Sequence, residues 1–416
     1  MSGVDGTKVD GGKVEGRKAA VRHIGIEERR ARLGVRHRLA AAARAATPAD
    51  AARSVVALHA TDPASVFLSV QARTVAAAAD DVDVDVEAIE RALYDERTLS
   101  RMLGMRRTMF VVPTELAPVI QAACTSAIAA VQRRRYTQFI SDAGLGDGAW
   151  LADVESSTAR ALAARGEATA AQLSMDEPRL RSQVLMAAGK PYESRTNITT
   201  WVLFLLAADG RIVRGRPSGS WTSTQWRWSP VEEWLPGGMV EVPVEEARVE
   251  LVRRWLAAFG PGTVADLRWW TGWTAAHVKR AVAAAGAVEV ELDGTTGLVL
   301  PDDLEPVASP EPWVALLPAL DPTAMGWQER SWYLGAHAPV LFDRSGNIGP
   351  TVWSDGRIIG GWAQRADGEV VYRLLEDVGG DTVAAVEAAG ARLTKWIGDV
   401  RVIPRFRTPL ERELSA

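Results

Sequence analysis

Residues 244–301 carry the strongest structural pattern in the chain and read VEEARVELVRRWLAAFGPGTVADLRWWTGWTAAHVKRAVAAAGAVEVELDGTTGLVLP. Apolar spacing predicts three helices, over 244–259, 263–270 and 274–284. Gly260-Pro261-Gly262 and Gly272 separate these helices. Asp293-Gly294 then joins two alternating runs into a hairpin, with strands over 288–292 and 296–300. Three short helices followed by a two-stranded wing are typical of a winged helix-turn-helix.

The same order of elements recurs more weakly in two upstream regions. In the middle of the chain we predict a small helix from Gly166, a helix over 196–208, and strands over 211–214 and 224–228. In the first region we predict helices over 48–58, 63–73 and 86–93, followed by strands over 99–105 and 108–112. A connecting helix is predicted over 114–139. The pattern therefore predicts three tandem winged-helix modules.

After Pro310 the sequence changes to short runs with strand-like composition. Strands are predicted over 313–317, 340–342, 349–353, 357–362, 369–375 and 400–406, with one helix over 382–397. We predict a small antiparallel β-barrel or sheet here, and the fold class is α+β. The predicted units are a flexible tail (1–25), a first winged helix with the connecting helix (26–140), a second (141–240), a third (241–305) and the β-barrel-like domain (306–416).

The composition is that of an ordinary globular protein. Among 416 residues, 47% are apolar and 24% are charged, which excludes wholesale disorder. No apolar run approaches the roughly 20 residues that cross a bilayer, and the N-terminus lacks the apolar core of a signal peptide. A single cysteine, Cys124, cannot form an internal disulfide. We expect a cytoplasmic monomer with no membrane partner.

Several standard catalytic patterns are missing from the sequence. It contains no phosphate-binding Gly-x-x-x-x-Gly-Lys loop, no dinucleotide-binding glycine pattern and no Gly-x-Ser-x-Gly elbow. The five histidines, at positions 23, 37, 59, 277 and 337, are too far apart in sequence for a local metal site. We therefore predict neither a metal nor an organic cofactor.

Positive charge is concentrated in three segments of a chain whose net charge is −4. Residues 27–53 hold seven arginines against three carboxylates, residues 97–135 hold seven against one, and residues 190–228 hold six cations against two acids. Such faces can steer a polyanion, although arginine-rich helices can also be simple solvated faces. The candidate phosphate contacts are Arg106, Arg107, Arg133, Arg134, Arg135, Arg211, Arg214, Arg216, Lys279 and Arg280.

One polar segment, Leu58-His59-Ala60-Thr61-Asp62-Pro63, lies between two apolar stretches predicted as helices. Asp62 or Thr61 is expected to cap the next helix, with Pro63 at its first position, and this arrangement needs no catalysis. His59 is expected to end the preceding helix. The helix N-terminus beside it would favour negative charge or a phosphate.

The chain resembles the AlkZ/YcaQ-type family of bacterial winged-helix DNA glycosylases over nearly all of residues 26–405. The similar stretches are RLGVRHRL (32–39), VALHATDP (56–63), GMRRTMFVVP (104–113), GRIVRGR (210–216), LAAFGP (256–261), LLPALDP (316–322), WQER (327–330), GPTV (349–352) and DGR (355–357). The resemblance implies three winged helices and a β-barrel around a concave basic cleft for duplex DNA. It also implies a catalytic Gln-x-Gln or Gln-x-Asp where this sequence has His59-Ala60-Thr61.

The leading hypothesis is hydrolysis of the N-glycosidic bond of N7- or N3-alkylated purines, including interstrand cross-links. Such a base is cationic and leaves without a general acid, so the enzyme must place a water beneath C1′ and stabilise an oxocarbenium-like sugar. We assign His59 as a water-positioning base with a pKa near neutrality, Thr61 as the second ligand of that water, and Asp62 as electrostatic support. The alternatives are a non-catalytic winged-helix DNA-binding protein, such as a regulator or damage sensor, and a protein–protein module rich in tryptophan.

Overall fold

The computed structural model describes residues 21–75, 85–187 and 189–416. Most of the predicted tail, residues 1–20, lies outside these ranges. Its last residues are not a free tail, because the Ile24 amide donates to the Glu291 carbonyl at 2.9 Å. The Ile24 side chain is fully buried in a small cluster with Val290 and Val299. A single buried residue such as Ile24 produces no periodic pattern in the sequence. The sequence therefore did not indicate that this segment pairs with the edge of a strand.

The first region contains α1 (Ile26–Arg36), α2 (Pro48–Ser54), β1 (Leu58–His59), α3 (Pro63–Gln71), α4 (Val86–Glu90), β2 (Leu99–Leu103) and β3 (Met109–Pro113). The strands form an antiparallel sheet in the order β1-β3-β2. The helix predicted over 48–58 is too long, because Val56 has φ +65° and cannot continue a right-handed helix. His59 therefore lies in an edge strand and not at a helix end, which corrects our prediction.

The second region contains α5 (Ala117–Ile120), α6 (Ser126–Asp142), α7 (Gly148–Arg165), β4 (Ala168–Thr169), α8 (Ala170–Asp176), β5 (Gln183–Met186), β6 (Ser194–Asn197), α9 (Thr199–Ala208), β7 (Ile212–Pro217), β8 (Trp226–Pro230) and α10 (Val231–Trp234). Strands β4, β8 and β7 form one sheet, and β5 and β6 form a separate hairpin. That hairpin was not predicted, and it is why α9 begins later than expected.

A π-helical turn, Gln121–Thr125, joins α5 to α6 and confirms the predicted connecting helix. By length and composition alone, the helix from Thr114 to Asp142 could cross a membrane. Its residues Ile120 and Ile140 are fully buried in two hydrophobic clusters of this fold. In its most apolar stretch of 18 residues, 39% is buried inside the fold.

The third region contains α11 (Val244–Phe259), α12 (Val264–Thr271), α13 (Ala275–Ala285), β9 (Val288–Leu292) and β10 (Thr295–Val299), which confirms the predicted elements within one residue at most bounds. Thr263 caps α12, because its hydroxyl accepts from the Asp266 amide and the Asp266 carboxylate accepts from the Thr263 amide. Gly272 ends α12 in the left-handed conformation at φ +75°.

The C-terminal region contains β11 (Val314–Leu317), α14 (Ser331–Leu334), α15 (Ala338–Leu341), β12 (Thr351–Ser354), β13 (Arg357–Gln364), β14 (Val370–Leu374), α16 (Gly380–Ile397) and α17 (Pro409–Leu414). The strands form an open antiparallel sheet in the order β11-β12-β13-β14, so of the two predicted forms the sheet is correct and the closed barrel is wrong.

Two predicted strands of this region are absent from the described structure. Residues 338–341 form a helical turn, with a proline in its first turn. Residues 400–406 are irregular, because their backbone bonds to a side chain instead of a neighbouring strand. The Gln364 amide donates to the Val400 carbonyl at 3.1 Å, and its oxygen accepts from the Val402 amide at 2.7 Å.

Candidate functional site

His59 is held by backbone pairing at the edge of the first sheet. It lies opposite Phe110 in β3, and the two rings meet edge to face at 5.5 Å. The residue is 8% exposed, and its Nδ1 is buried without a hydrogen-bond partner. Nε2 also has no hydrogen-bond partner within the described residues. Unlike Nδ1, it is not fully buried, so Nε2 is the nitrogen that faces accessible space.

The environment of His59 strongly disfavours the imidazolium form. Burial, and secondarily the positive charge of Arg106, lower the pKa of His59 to about 3. The prediction of a near-neutral pKa is therefore wrong. At neutral pH the ring is an uncharged hydrogen-bonding group and a weak proton acceptor.

The charge beside His59 comes from an unusual turn between β2 and β3. Arg106 and Arg107 occupy its two central positions with φ +54° and +60°, a conformation that β-hairpin turns normally fill with Asn or Gly. Backbone strain of this kind is concentrated at functional sites. The Arg106 side chain is exposed, and its guanidinium carbon lies 4.1 Å from the centroid of the Trp269 ring.

Arg330, which is not among the ten candidate cations, adds a second positive charge at this position. Its guanidinium carbon lies 4.6 Å from the Trp269 ring. Partial burial of the guanidinium lowers the pKa of Arg106 to about 10, and the positive charge of Arg330 lowers it further. Among the described residues, neither Arg106 nor Arg330 has a carboxylate partner. The WQER stretch is part of the family resemblance, but no local pattern in the sequence brings Arg330 to the first hairpin.

Thr61 and Asp62 differ in how far their side chains are engaged. Thr61 is half-buried, and its hydroxyl makes no hydrogen bond within the described residues. Asp62 caps α3, because one carboxylate oxygen accepts from the Ala64 amide at 3.2 Å. The other oxygen accepts from the Arg405 amide at 3.2 Å, and burial raises the pKa of Asp62. The capping prediction is confirmed, and both oxygens bind backbone amides and not His59.

The ten candidate cations fall into three groups. The exposed ones are Arg106, Arg107, Arg134, Arg135, Arg211, Lys279 and Arg280. Arg133 and Arg216 are each held by two carboxylates, Glu155 with Asp209 and Glu90 with Asp95 respectively. Arg214 is half-buried over the Trp228 ring at 5.0 Å. Arg133 and Arg216 thus have internal partners that the sequence did not reveal.

Most of the tryptophans near the second and third regions serve in packing. Trp221, Trp228, Trp270 and Trp273 are each at most 9% exposed. Trp226 and Trp269 are half-buried, and each carries an arginine over its ring. Within residues 21–75, 85–187 and 189–416, no group of three or more His, Cys, Asp or Glu side chains could hold a metal ion.

Two neutral buried histidines should make the protein less stable as the pH falls below about 6.5. His37 is fully buried between the Thr323 hydroxyl and the Ala258 carbonyl, and burial lowers its pKa to about 3, as for His59. The unfolded chain binds these two protons near pH 6.5 and the folded chain only near pH 3. Stability is therefore complete above pH 6.5 and lost on acidification, by up to about 1.4 kcal/mol per pH unit for each group.

Urea unfolding at pH 7.5 and 5.5 measures this loss. With His59→Gln, which cannot titrate, we expect the difference between the two pH values to shrink by about 1.4 kcal/mol. An unchanged difference would mean that His59 titrates normally in the folded protein.

The fold is shared with a solved structure, Streptomyces sahachiroi DNA glycosylase AlkZ. The two are similar over 91% of this chain and 97% of that one, with a TM-score of 0.67 and 19% sequence identity. The architecture is thus of the AlkZ class. A family model described as DNA glycosylase AlkZ-like matches residues 52–396. The chain belongs to this family of DNA glycosylases.

A curated relative is the interstrand DNA cross-link repair glycosylase of the same organism. It is 26% identical over 171 residues, which are 39% of this chain and 46% of the relative. The match therefore spans less than half of the relative's length.

Proposed function

We propose that this protein is a DNA glycosylase that hydrolyses the N-glycosidic bond of N7- or N3-alkylated purines, including those joined in interstrand cross-links. The observation that carries the proposal is the position of His59. Its accessible nitrogen lies beside a cationic hairpin tip, at the place where the family resemblance puts the first catalytic glutamine. The name of the curated relative supports the cross-link as a substrate.

The chemistry suits a neutral imidazole. The C1′–N bond breaks with its electron pair moving to the cationic base, and a water oxygen then bonds to C1′ of the oxocarbenium-like sugar. The attacking water becomes strongly acidic only after this bond forms, so its proton can pass to solvent. Nε2 of His59 accepts a hydrogen bond from the water and orients it, as a glutamine amide would, without retaining the proton. The Thr61 hydroxyl is free to act as the second ligand.

The proposed DNA-binding surface follows from the three helix-and-hairpin units, each of which we assign to the winged-helix class. Duplex DNA is the polyanion that exposed arginines of such modules bind. We retain the seven exposed cations as phosphate contacts and assign Arg133 and Arg216 a structural role. Asp62 is proposed as electrostatic support acting through its position at the N-terminus of α3.

Base release is the direct test of this function. The purified protein is incubated with a duplex that contains N7-methylguanine and, separately, with a bis-N7-guanine cross-link, and free base and abasic sites are measured. We expect release from at least one substrate. Tight binding without release would favour the alternative function, a non-catalytic DNA-binding protein. The low basicity of His59 is the observation that favours that alternative.

Charge removal at an exposed arginine should change the salt dependence of DNA binding. With Arg107→Gln, the negative slope of log K against log salt for an undamaged duplex should become less steep by about 0.9, because one phosphate is no longer neutralised. Arg216→Gln is the matched control, because its guanidinium is already paired with Glu90 and Asp95. Equal slopes for Arg107→Gln and wild type would remove Arg107 from the interface.

A further inference from the structure

A cavity of about 490 Å³ lies in the second region, between the beginnings of α8 and α9 and the strands β7 and β8. Its walls include the rings of Phe204, Trp226 and Trp228, and its rim includes the exposed residues Thr224 and Gln225. A cavity of this size is within the range of small-ligand sites. The function proposed above makes no use of it.

Among the described residues that line the cavity, Arg214 is the one that carries a charge. Within that part of the chain, its Nε is buried without a hydrogen-bond partner, and Nη1 hydrogen-bonds only to the Met109 sulfur, a weak acceptor, at 2.7 Å. Among the described residues, no carboxylate forms an ion pair with this guanidinium. A buried donor without a partner is costly, which makes a ligand with acceptor atoms the natural complement.

The cavity is also connected to the segment that carries His59. The guanidinium carbon of Arg101 lies 4.3 Å from the centroid of the Trp226 ring, and Arg101 Nη1 donates to the Ala60 carbonyl at 3.0 Å. The Ala60 amide in turn donates to the carbonyl of Met109, the residue that contacts Arg214. Trp226 and Arg101 therefore link the wall of the cavity to the backbone of Ala60.

The lining selects a planar aromatic ligand with acceptor atoms. Tryptophan faces stack on nucleobases with little regard to sequence, and arginine pairs with the N7 and O6 atoms of guanine. None of the described residues that line the cavity is a carboxylate that would attract a cation.

We propose that this cavity binds one unpaired purine base of the DNA, stacked on Trp226 with its acceptor edge toward Arg214. The inference rests on the proposed function in one respect, that DNA is the substrate. It adds that this DNA must contain an unstacked nucleotide near the reacting sugar.

Binding to a duplex with a single unpaired guanine tests the inference without any base release. Wild type should bind the bulged duplex about tenfold more tightly than the fully paired one, as expected for one stacked base. Trp226→Leu should lose most of this ratio, and Trp226→Phe, which can still stack, should retain it. Arg227→Gln is the matched surface control, because the exposed Arg227 side chain is the next along β8 and should change both affinities equally.

A measurement on wild type keeps the test valid if Trp226→Leu does not fold. With 2-aminopurine as the bulged base, stacking on the indole should quench its fluorescence on binding. The inference would be overturned if wild type showed no preference for the bulge, if the preference survived in folded Trp226→Leu, or if the probe stayed unquenched. Each of these results would leave the glycosylase proposal standing. No duplex binding by wild type would overturn both.

Discussion

Replacing His59 by alanine should lower the single-turnover rate of base release from an N7-methylguanine duplex by at least about 100-fold, the scale of losing one group that stabilises a transition state. The reason is that the methyl group of alanine cannot hydrogen-bond to the attacking water, so no side chain of β1 would orient it. Affinity for the undamaged duplex should change by no more than about twofold, because His59 is only 8% exposed and carries no charge at neutral pH.

Two further variants separate orientation of the water from other roles. His59→Gln restores a side chain that can hold the water by hydrogen bonding, so it should recover much of the lost rate. Asp62→Asn keeps the cap of α3, because asparagine is as favourable as aspartate at that position, but it loses the hydrogen bond from the Arg405 amide. A large loss of rate in Asp62→Asn, with the fold intact, would show that the carboxylate charge itself stabilises the sugar cation.

The pH profile of release provides an independent check. Because the pKa of His59 is lowered to about 3, its titration should not appear in the rate between pH 5 and 8. Two results would show that the ring does not act as an uncharged ligand of water. One is release that persists in His59→Ala. The other is a wild-type rate that falls on acidification with an apparent pKa near 6.5, when that fall is absent from His59→Gln.

The third region was predictable because its signals are local. Thr263, Gly272 and Thr274 act on the backbone within a few residues of themselves, as caps or helix ends. The turn at Asp293-Gly294 likewise sets the register of its hairpin through neighbouring residues. In such segments propensity, apolar spacing and capping agree, and the fold follows from the sequence.

The prediction was wrong where a distant partner decides the conformation. The segment around Leu58 was assigned to a helix by apolar spacing, but it pairs with Val111, more than 50 residues away. Residues 400–406 have strand-like composition, but Gln364 takes their hydrogen bonds. Resemblance located His59 and Thr61, whereas the low pKa of His59 and the approach of Arg330 to Trp269 arise only in three dimensions.

The packing of the first region against the C-terminal region depends on a buried ionic network that the sequence did not reveal. Arg73 and Asp321 are both completely buried and joined by two hydrogen bonds of 2.6 and 2.8 Å. Ser69 donates to the same carboxylate at 2.6 Å, and the Thr323 hydroxyl lies between Arg73 and the His37 ring. The arginine charge holds the pKa of Asp321 below its usual range despite burial.

Asp321→Asn should therefore lower the free energy of unfolding by about 3–5 kcal/mol, because it leaves the Arg73 charge buried with no carboxylate to neutralise it. Urea unfolding at pH 7.5 measures the loss. The matched control is Glu369→Gln, which removes an exposed ion pair with Arg365 and should cost at most about 0.5 kcal/mol. A loss below about 1 kcal/mol in Asp321→Asn would mean that water or another group reaches Arg73, and that the contact between the two regions depends on apolar packing alone.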